Sequence, residues 1–172
     1  MAITRLRTNL GKGFPGLDQN KPGYNRLTDS IQSDDVEPAL IQYTEVAVTA
    51  AELLAIRATP KELVAAPGAG LALEFVSALF IYDYTAAFTE TDDNLAIRYE
   101  NTTGTVVSLT LETTGLLDAT ADKMSTIQPL ATDVLVVANK ALVLHNTGNG
   151  ELGGTGSACR VKVAYRVHAT GL

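Results

Sequence analysis

The sequence predicts an all-β fold, an antiparallel β-sandwich or jelly roll preceded by an extended N-terminal arm. Three observations carry that expectation. Beyond residue 38 the chain breaks into about eight short apolar segments, rich in Val, Ile, Leu, Thr, Tyr and Phe and separated by Gly-, Pro- and Asn-containing turns. Helical periodicity is nearly missing, and no β–α–β alternation points to a parallel sheet. The first 33 residues hold Gly11, Gly13, Pro15, Gly16, Pro22 and Gly23, a density that breaks regular elements. The expected division is therefore an arm over residues 1–38 and a sandwich or jelly-roll-like domain over residues 39–172.

The elements follow in order. Residues 40–49 (LIQYTEVAVT) combine β-branched residues with partial alternation and read as a strand. Thr49-Ala50-Ala51-Glu52 matches a capping box, which allows one helical turn through Leu54. Residues 59–65 read as a short strand, placed at a sheet edge by Pro60. Pro67-Gly68-Ala69-Gly70 is a turn. Residues 71–84 are the most apolar run and exceed an ordinary strand, so a bend or bulge is expected near Ser77-Ala78. Residues 94–99 and 105–112 read as strands joined by a hairpin loop at Asn101-Thr102-Thr103-Gly104, with Val107, Leu109 and Leu111 on one face.

Residues 114–118 read as a short strand or turn, and residues 119–124 as a helical turn. Residues 134–137, 141–145 and 159–168 complete the strands. In the last, Val161, Val163, Tyr165 and Val167 face one way, and Arg160, Lys162, Arg166 and His168 face the other.

Composition excludes several function classes. Charged residues are 19% of 172, and 13 Lys+Arg against 19 Asp+Glu give −6. A net-acidic chain is a poor match to a phosphate backbone, so no nucleic-acid partner is expected. No apolar run approaches the ~18 residues of a membrane span, and Met1 to Thr8 holds two Arg and no apolar block, so neither membrane insertion nor a signal peptide is expected. One Cys excludes an intramolecular disulfide framework.

Charge is unevenly placed. In residues 1–33 five basic residues (Arg5, Arg7, Lys12, Lys21, Arg26) against Asp18 and Asp29 give +3. The remaining 8 basic and 17 acidic residues give −9. The arm also holds Phe14, Tyr24 and several Leu, anchors that a purely solvated tail does not need. It reads as a segment that orders against another surface. Arg5, Arg7, Phe14, Tyr24 and Arg26 are its candidate contacts, because Arg and aromatic residues dominate interface energetics.

Catalytic chemistry is thin. His145 and His168 are far apart in sequence, and with Cys159 they supply too few ligands for a cupin-type metal site or a His/Cys zinc site. Both His read as structural, and Cys159 as a buried thiol without a nucleophile signature. The Gly-rich loop over residues 146–156 is not a P-loop, since a strand follows it and no Gly-Lys-Ser/Thr occurs; it reads as a mobile connection. Glu90-Thr91-Asp92-Asp93-Asn94 lacks EF-hand spacing and reads as a solvated acidic loop. Asp92, Asp93, Asn149 and Glu151 are candidate exposed contacts. No catalytic residue, metal or other cofactor is expected.

Several segments resemble a group of tailed-bacteriophage virion proteins, head decoration or cement proteins that sit beside the major capsid protein. They are residues 63–70 (LVAAPGAG), 74–79 (EFVSAL) with Tyr82-Asp83-Tyr84, 93–99 (DNLAIRY), 112–122 (ETTGLLDATAD), 139–148 (NKALVLHNTG) and 160–168 (RVKVAYRVH). The likeness spans roughly residues 53–172 and leaves the arm uncovered. It implies a non-enzymatic structural protein of the virion, on the outer surface of the capsid and in the host cytoplasm during assembly. The implied partners are the major capsid protein and further copies of the chain, a trimer in preference to a dimer. A receptor- or glycan-binding virion module is the alternative, with few aromatics (6%) to stack on sugars.

Overall fold

The last long strand is the spine of the described structure, because it pairs on both sides. The fold is known from a computed structural model that describes residues 40–89 and 94–170. From Ile41 onward these belong to one compact unit, Ile41–Leu172. The expected arm and its residues Arg5, Arg7, Phe14, Tyr24 and Arg26 lie outside the described residues, as do Asp92 and Asp93.

The elements are β1 (Gln42–Val48), α1 (Ala50–Leu54), β2 (Lys61–Val64), β3 (Leu71–Tyr82), β4 (Phe88–Thr89), β5 (Asn94–Tyr99), β6 (Leu111–Glu112), β7 (Lys123–Ile127), β8 (Leu142–Asn146), β9 (Gly153–Gly154) and β10 (Cys159–Ala169). The protein is mostly β and its strand pairs are antiparallel. One four-stranded sheet has the order β1-β10-β3-β7, another the order β2-β8-β5-β6, and β4 pairs with β9. The pairing is nested: β1 with β10, β2 with β8, β3 with β7, and β5 with β6. Val48, Phe80 and Val161 of the first sheet and Leu63, Ile97 and Leu142 of the second belong to one hydrophobic cluster. Each is at most 3% exposed, so the two sheets share a core.

Local chemistry explains the elements. Thr49 caps α1 in a full capping box: its hydroxyl accepts from the Glu52 amide, and the Glu52 carboxylate accepts from the Thr49 amide at 2.8 Å. Lys61 and then Thr49 bond that carboxylate and hold its pKa down to about 2. Strand β2 lies at a sheet edge, where Pro60 costs no ladder bond. In β3 the register shifts between Ser77, opposite Ala164, and Phe75, opposite Tyr165. Val76 is the extra residue, one position before the expected bulge. The hairpin loop at 101–104 forms as expected. Gly104 is required there, because a Cβ would lie 1.7 Å from the Tyr99 carbonyl oxygen.

Three expectations are corrected. Residues 119–124 form no helical turn; they lead into β7, an edge strand whose inward side chain, Ile127, is 2% exposed. Residues 105–112 form only the short β6 and isolated bridges at Val106 and Ser108. The buried Ser108 hydroxyl accepts from the Ile97 amide at 2.8 Å and donates to the Leu109 carbonyl at 2.8 Å. Side-chain bonding there replaces the ladder and breaks the alternation, so Val107 and Leu111 are buried while Leu109 is 45% exposed. Residues 134–137 are not a strand: Val134 and Val137 pack on the core, and Leu135 and Val136 are exposed. No helix among the described residues is long and apolar enough to cross a membrane.

Candidate functional site

The outer face of the first sheet is built from alternation along β10. Val161 and Val163 are buried, and Arg160, Lys162, Arg166 and His168 point away from the core, as the sequence predicts. Each of these four side chains meets a carboxylate from a neighbouring strand or its end. Arg160 donates through Nε and Nη2 to both oxygens of Asp83, at 2.9 and 3.0 Å, and also lies 3.5 Å from Glu45. Lys162 lies 3.2 Å from Glu45. Arg166 and His168 share Glu74, at 3.0 and 2.6 Å. The Arg160 fork holds Asp83 below the usual carboxylate range. Burial alone pushes Glu74 up, but bonds from His168 and Arg166 outweigh it and its pKa is lowered. Tyr43 stands on the same side of β1 as Glu45, and Met124 pairs opposite Ile81 at the other edge; they are 77% and 68% exposed. The face is a charge-balanced ladder bordered by two apolar side chains.

The Gly-rich loop is bonded along its length, in contrast to the mobile connection expected. Asn146 is fully buried; its Nδ2 donates to the Gly150 carbonyl and its Oδ1 accepts from the Gly148 amide. Leu152 is buried in the core, and β9 pairs with β4. A Cβ on Gly156 would meet the Phe88 ring at 2.0 Å. Ser157 closes the loop: its Oγ accepts from the Thr85 and Ala86 amides and donates to the Ala86 carbonyl. Asn149 is exposed. Glu151 is exposed too, but its carboxylate accepts from the Arg57 and Ala58 amides at 2.9 and 2.7 Å and so fastens the chain after α1.

Two cavities differ in chemistry. One, about 690 Å³, is largely apolar and runs along Leu73, Phe75, Val107, Leu130 and Val134, with Glu74 and His168 among its lining. The other, about 620 Å³, is polar and lies where α1's following turn meets β5 and the start of the Gly-rich loop. Its lining includes Arg57, Arg98, Thr102, His145, Thr147 and Glu151. His145 is 5% exposed at the end of β8, and its Nδ1 has no hydrogen-bond partner among the described residues. Burial, then the charges of Arg98 and Arg57, push its pKa down, against a weaker opposite pull from a hydrogen bond with the Arg57 backbone and then from Glu151. Arg98 donates through Nη1 to the Thr102 carbonyl, while its buried Nε is also unpartnered.

The structure thus puts His145 and Glu151 at one cavity and leaves Asn149 outside its lining. Cys159 is buried and its thiol is pushed up, chiefly by that burial. Among the described residues no three His, Cys, Asp or Glu side chains are grouped to hold a metal ion. Sequence reasoning missed Arg57 and Arg98. The available signal was charge: these are two of only eight cations in residues 34–172, and one interrupts an apolar strand.

A scan against protein-family models finds no match for this chain, and a search of curated proteins finds none.

Proposed function

We propose that the chain is a structural virion protein with a jelly-roll body, a capsid decoration or cement protein that binds the outer surface of a phage head across major-capsid-protein junctions. The nested pairing supports the jelly-roll reading. Eight strands paired outermost with outermost, down to β5 with β6, are one long hairpin wound into two four-stranded sheets. The fold alone does not decide among capsid, lectin and cupin roles.

The observation that carries the functional reading is the outer face of the first sheet. Every cation of β10 has its carboxylate there, so another protein can cover the face without stranding a charge. Tyr43 and Met124 supply exposed apolar area at its two edges. The +3 charge of residues 1–33, against −9 for residues 34–172, suits contact with acidic surface on the shell or on a neighbouring copy.

The test is binding of the full chain to purified expanded capsids, beside a double variant Tyr43→Ala/Met124→Ala and a chain lacking residues 1–33. Both variants are expected to bind at least about tenfold more weakly, the effect of removing two interface anchors. Unchanged binding by both overturns the proposal. A second reading, a glycan-binding virion module, is favoured by the polar cavity.

A further inference from the structure

In the unit that bears the core, cations and carboxylates are matched with care. Of the eight cations in residues 34–172, Lys61, Lys140, Arg160, Lys162 and Arg166 each form an ion pair. Arg57, Arg98 and Lys123 have no carboxylate partner among the described residues. Arg57 and Arg98, though far apart in sequence, line the same cavity. Leaving a half-buried guanidinium without an anion is costly, and in an acidic body it is easily avoided. Glu151 keeps its charge but forms no ion pair with either guanidinium. It lines the cavity, yet both its oxygens accept backbone amides of Arg57 and Ala58.

The second observation is independent of charge. His145 is more than nine-tenths buried, lines the cavity and has an unpartnered Nδ1, as Arg98 has an unpartnered Nε. Nη1 of Arg98 is committed to the Thr102 carbonyl and Nε is buried, so Nη2 is the group left to make a charge-assisted contact with a ligand carboxylate. The rest of the lining is rich in oxygen. Thr147 Oγ1 donates to the Asn94 carbonyl and keeps lone pairs, and Thr102 and Gly150 also contribute to the lining. No Phe, Tyr or Trp lines it, so stacking on a neutral sugar ring is not its means of recognition. Its volume falls within the ~300–1,000 Å³ of small-ligand clefts.

We propose that this cavity is a binding site for a sugar acid, a carboxylate-bearing polyol of monosaccharide size. Arg98 pairs with the carboxylate, Arg57 adds field, and His145 with the threonines meets the hydroxyl groups. The site goes beyond the capsid-binding role, since it lies away from Tyr43, Met124 and the β10 ladder. The two readings therefore fail separately.

The experiment is a titration of the isotope-labelled full chain with glucuronate, glucose, glutamate and inorganic phosphate, followed by amide chemical shifts. Glucuronate is expected to give saturable shifts at Thr147 and Gly150, with no saturable response to glucose over the same range. Arg98→Gln and, as a milder second variant, Arg57→Gln are expected to weaken glucuronate binding, Arg98→Gln by about tenfold or more. An unchanged amide spectrum away from the cavity verifies that each variant is folded. No saturable response to glucuronate, or a response that both variants leave intact, overturns the site. Glutamate binding as tightly as glucuronate overturns the sugar and leaves an acidic-peptide pocket. Phosphate alone binding overturns it in favour of a plain anion site.

Discussion

The outer face of the first sheet and the polar cavity beside the second handle charge in opposite ways. On the first, β10 lays Arg160, Lys162 and Arg166 against Glu45, Asp83 and Glu74 on neighbouring elements. In the second, Arg57 and Arg98 line a cavity with the buried His145 and form no ion pair among the described residues, although Glu151 stands in the same lining. Both arrangements occur in one acidic chain, so composition does not explain the difference. Register does. Antiparallel pairing places Lys162 opposite Glu45 and Arg166 opposite Glu74, whereas β8 places Val143 opposite Arg98. A charge with apolar cross-strand neighbours needs a partner on the diagonal or at a strand end, as Arg160 finds in Glu45 and Asp83, or one from outside the sheet.

The largest expected effect tests what the two regions share. Phe80 of β3 and Leu144 of β8 are both fully buried, in different sheets but one cluster. Phe80→Ala should destabilise by about 3–5 kcal/mol and Leu144→Ala by about 2–5 kcal/mol, each with a single denaturant transition. Two resolved transitions in either variant would mean that the sheets stand on separate cores.

Next comes pH, which separates the regions by window. Burial and the two arginines lower the pKa of His145, so the unfolded chain takes up a proton near 6.5 while the folded chain resists. Stability should therefore fall as pH drops below about 6.5, and His145→Gln should flatten that slope. Glu74 is lowered from 4.5, so its contribution is present above 4.5 and lost only as pH falls further, through its folded value. Denaturant midpoints at pH 7.5, 5.5 and 3.5 read both windows. A His145→Gln slope equal to wild type between pH 7.5 and 5.5 would refute the cavity's part.

The smallest effect belongs to the ladder itself. Arg166→Met removes a part-exposed pair that solvent screens, and should change stability by only about 0–1 kcal/mol in thermal or chemical melts. A larger loss would show the ladder to be a stabilising network in its own right.

Much of this fold could be read from the sequence, for reasons that differ by element. Strand β10 alternates cleanly because one face is buried and the other is wet. The cap of α1 was legible because Thr49 and Glu52 solve a local hydrogen-bonding problem by themselves. Strand β7 was missed because an edge strand turns little apolar surface inward, Ile127 being its buried residue. Residues 134–137 misled because Val134 and Val137 are half-buried against the core without being paired to a strand. Of the candidate contacts, Glu151 was legible as an exposed loop acid but not as a clamp on the turn after α1. The cavity was illegible, since residues 57, 98 and 145 meet only once β5 and β8 are paired.

The nested pairing also sets an order of assembly. The innermost partners, β5 and β6, close the shortest loop, while β1 meets β10 only across nearly the whole of the core-bearing unit, with Val48 facing Cys159. Of the described strands, the one synthesised last joins β1 to β3. Until it docks, both lack a shared neighbour and present open hydrogen-bonding edges. Folding should accordingly be slow, and a chain that stops short of Cys159 should aggregate instead of accumulating as a soluble intermediate.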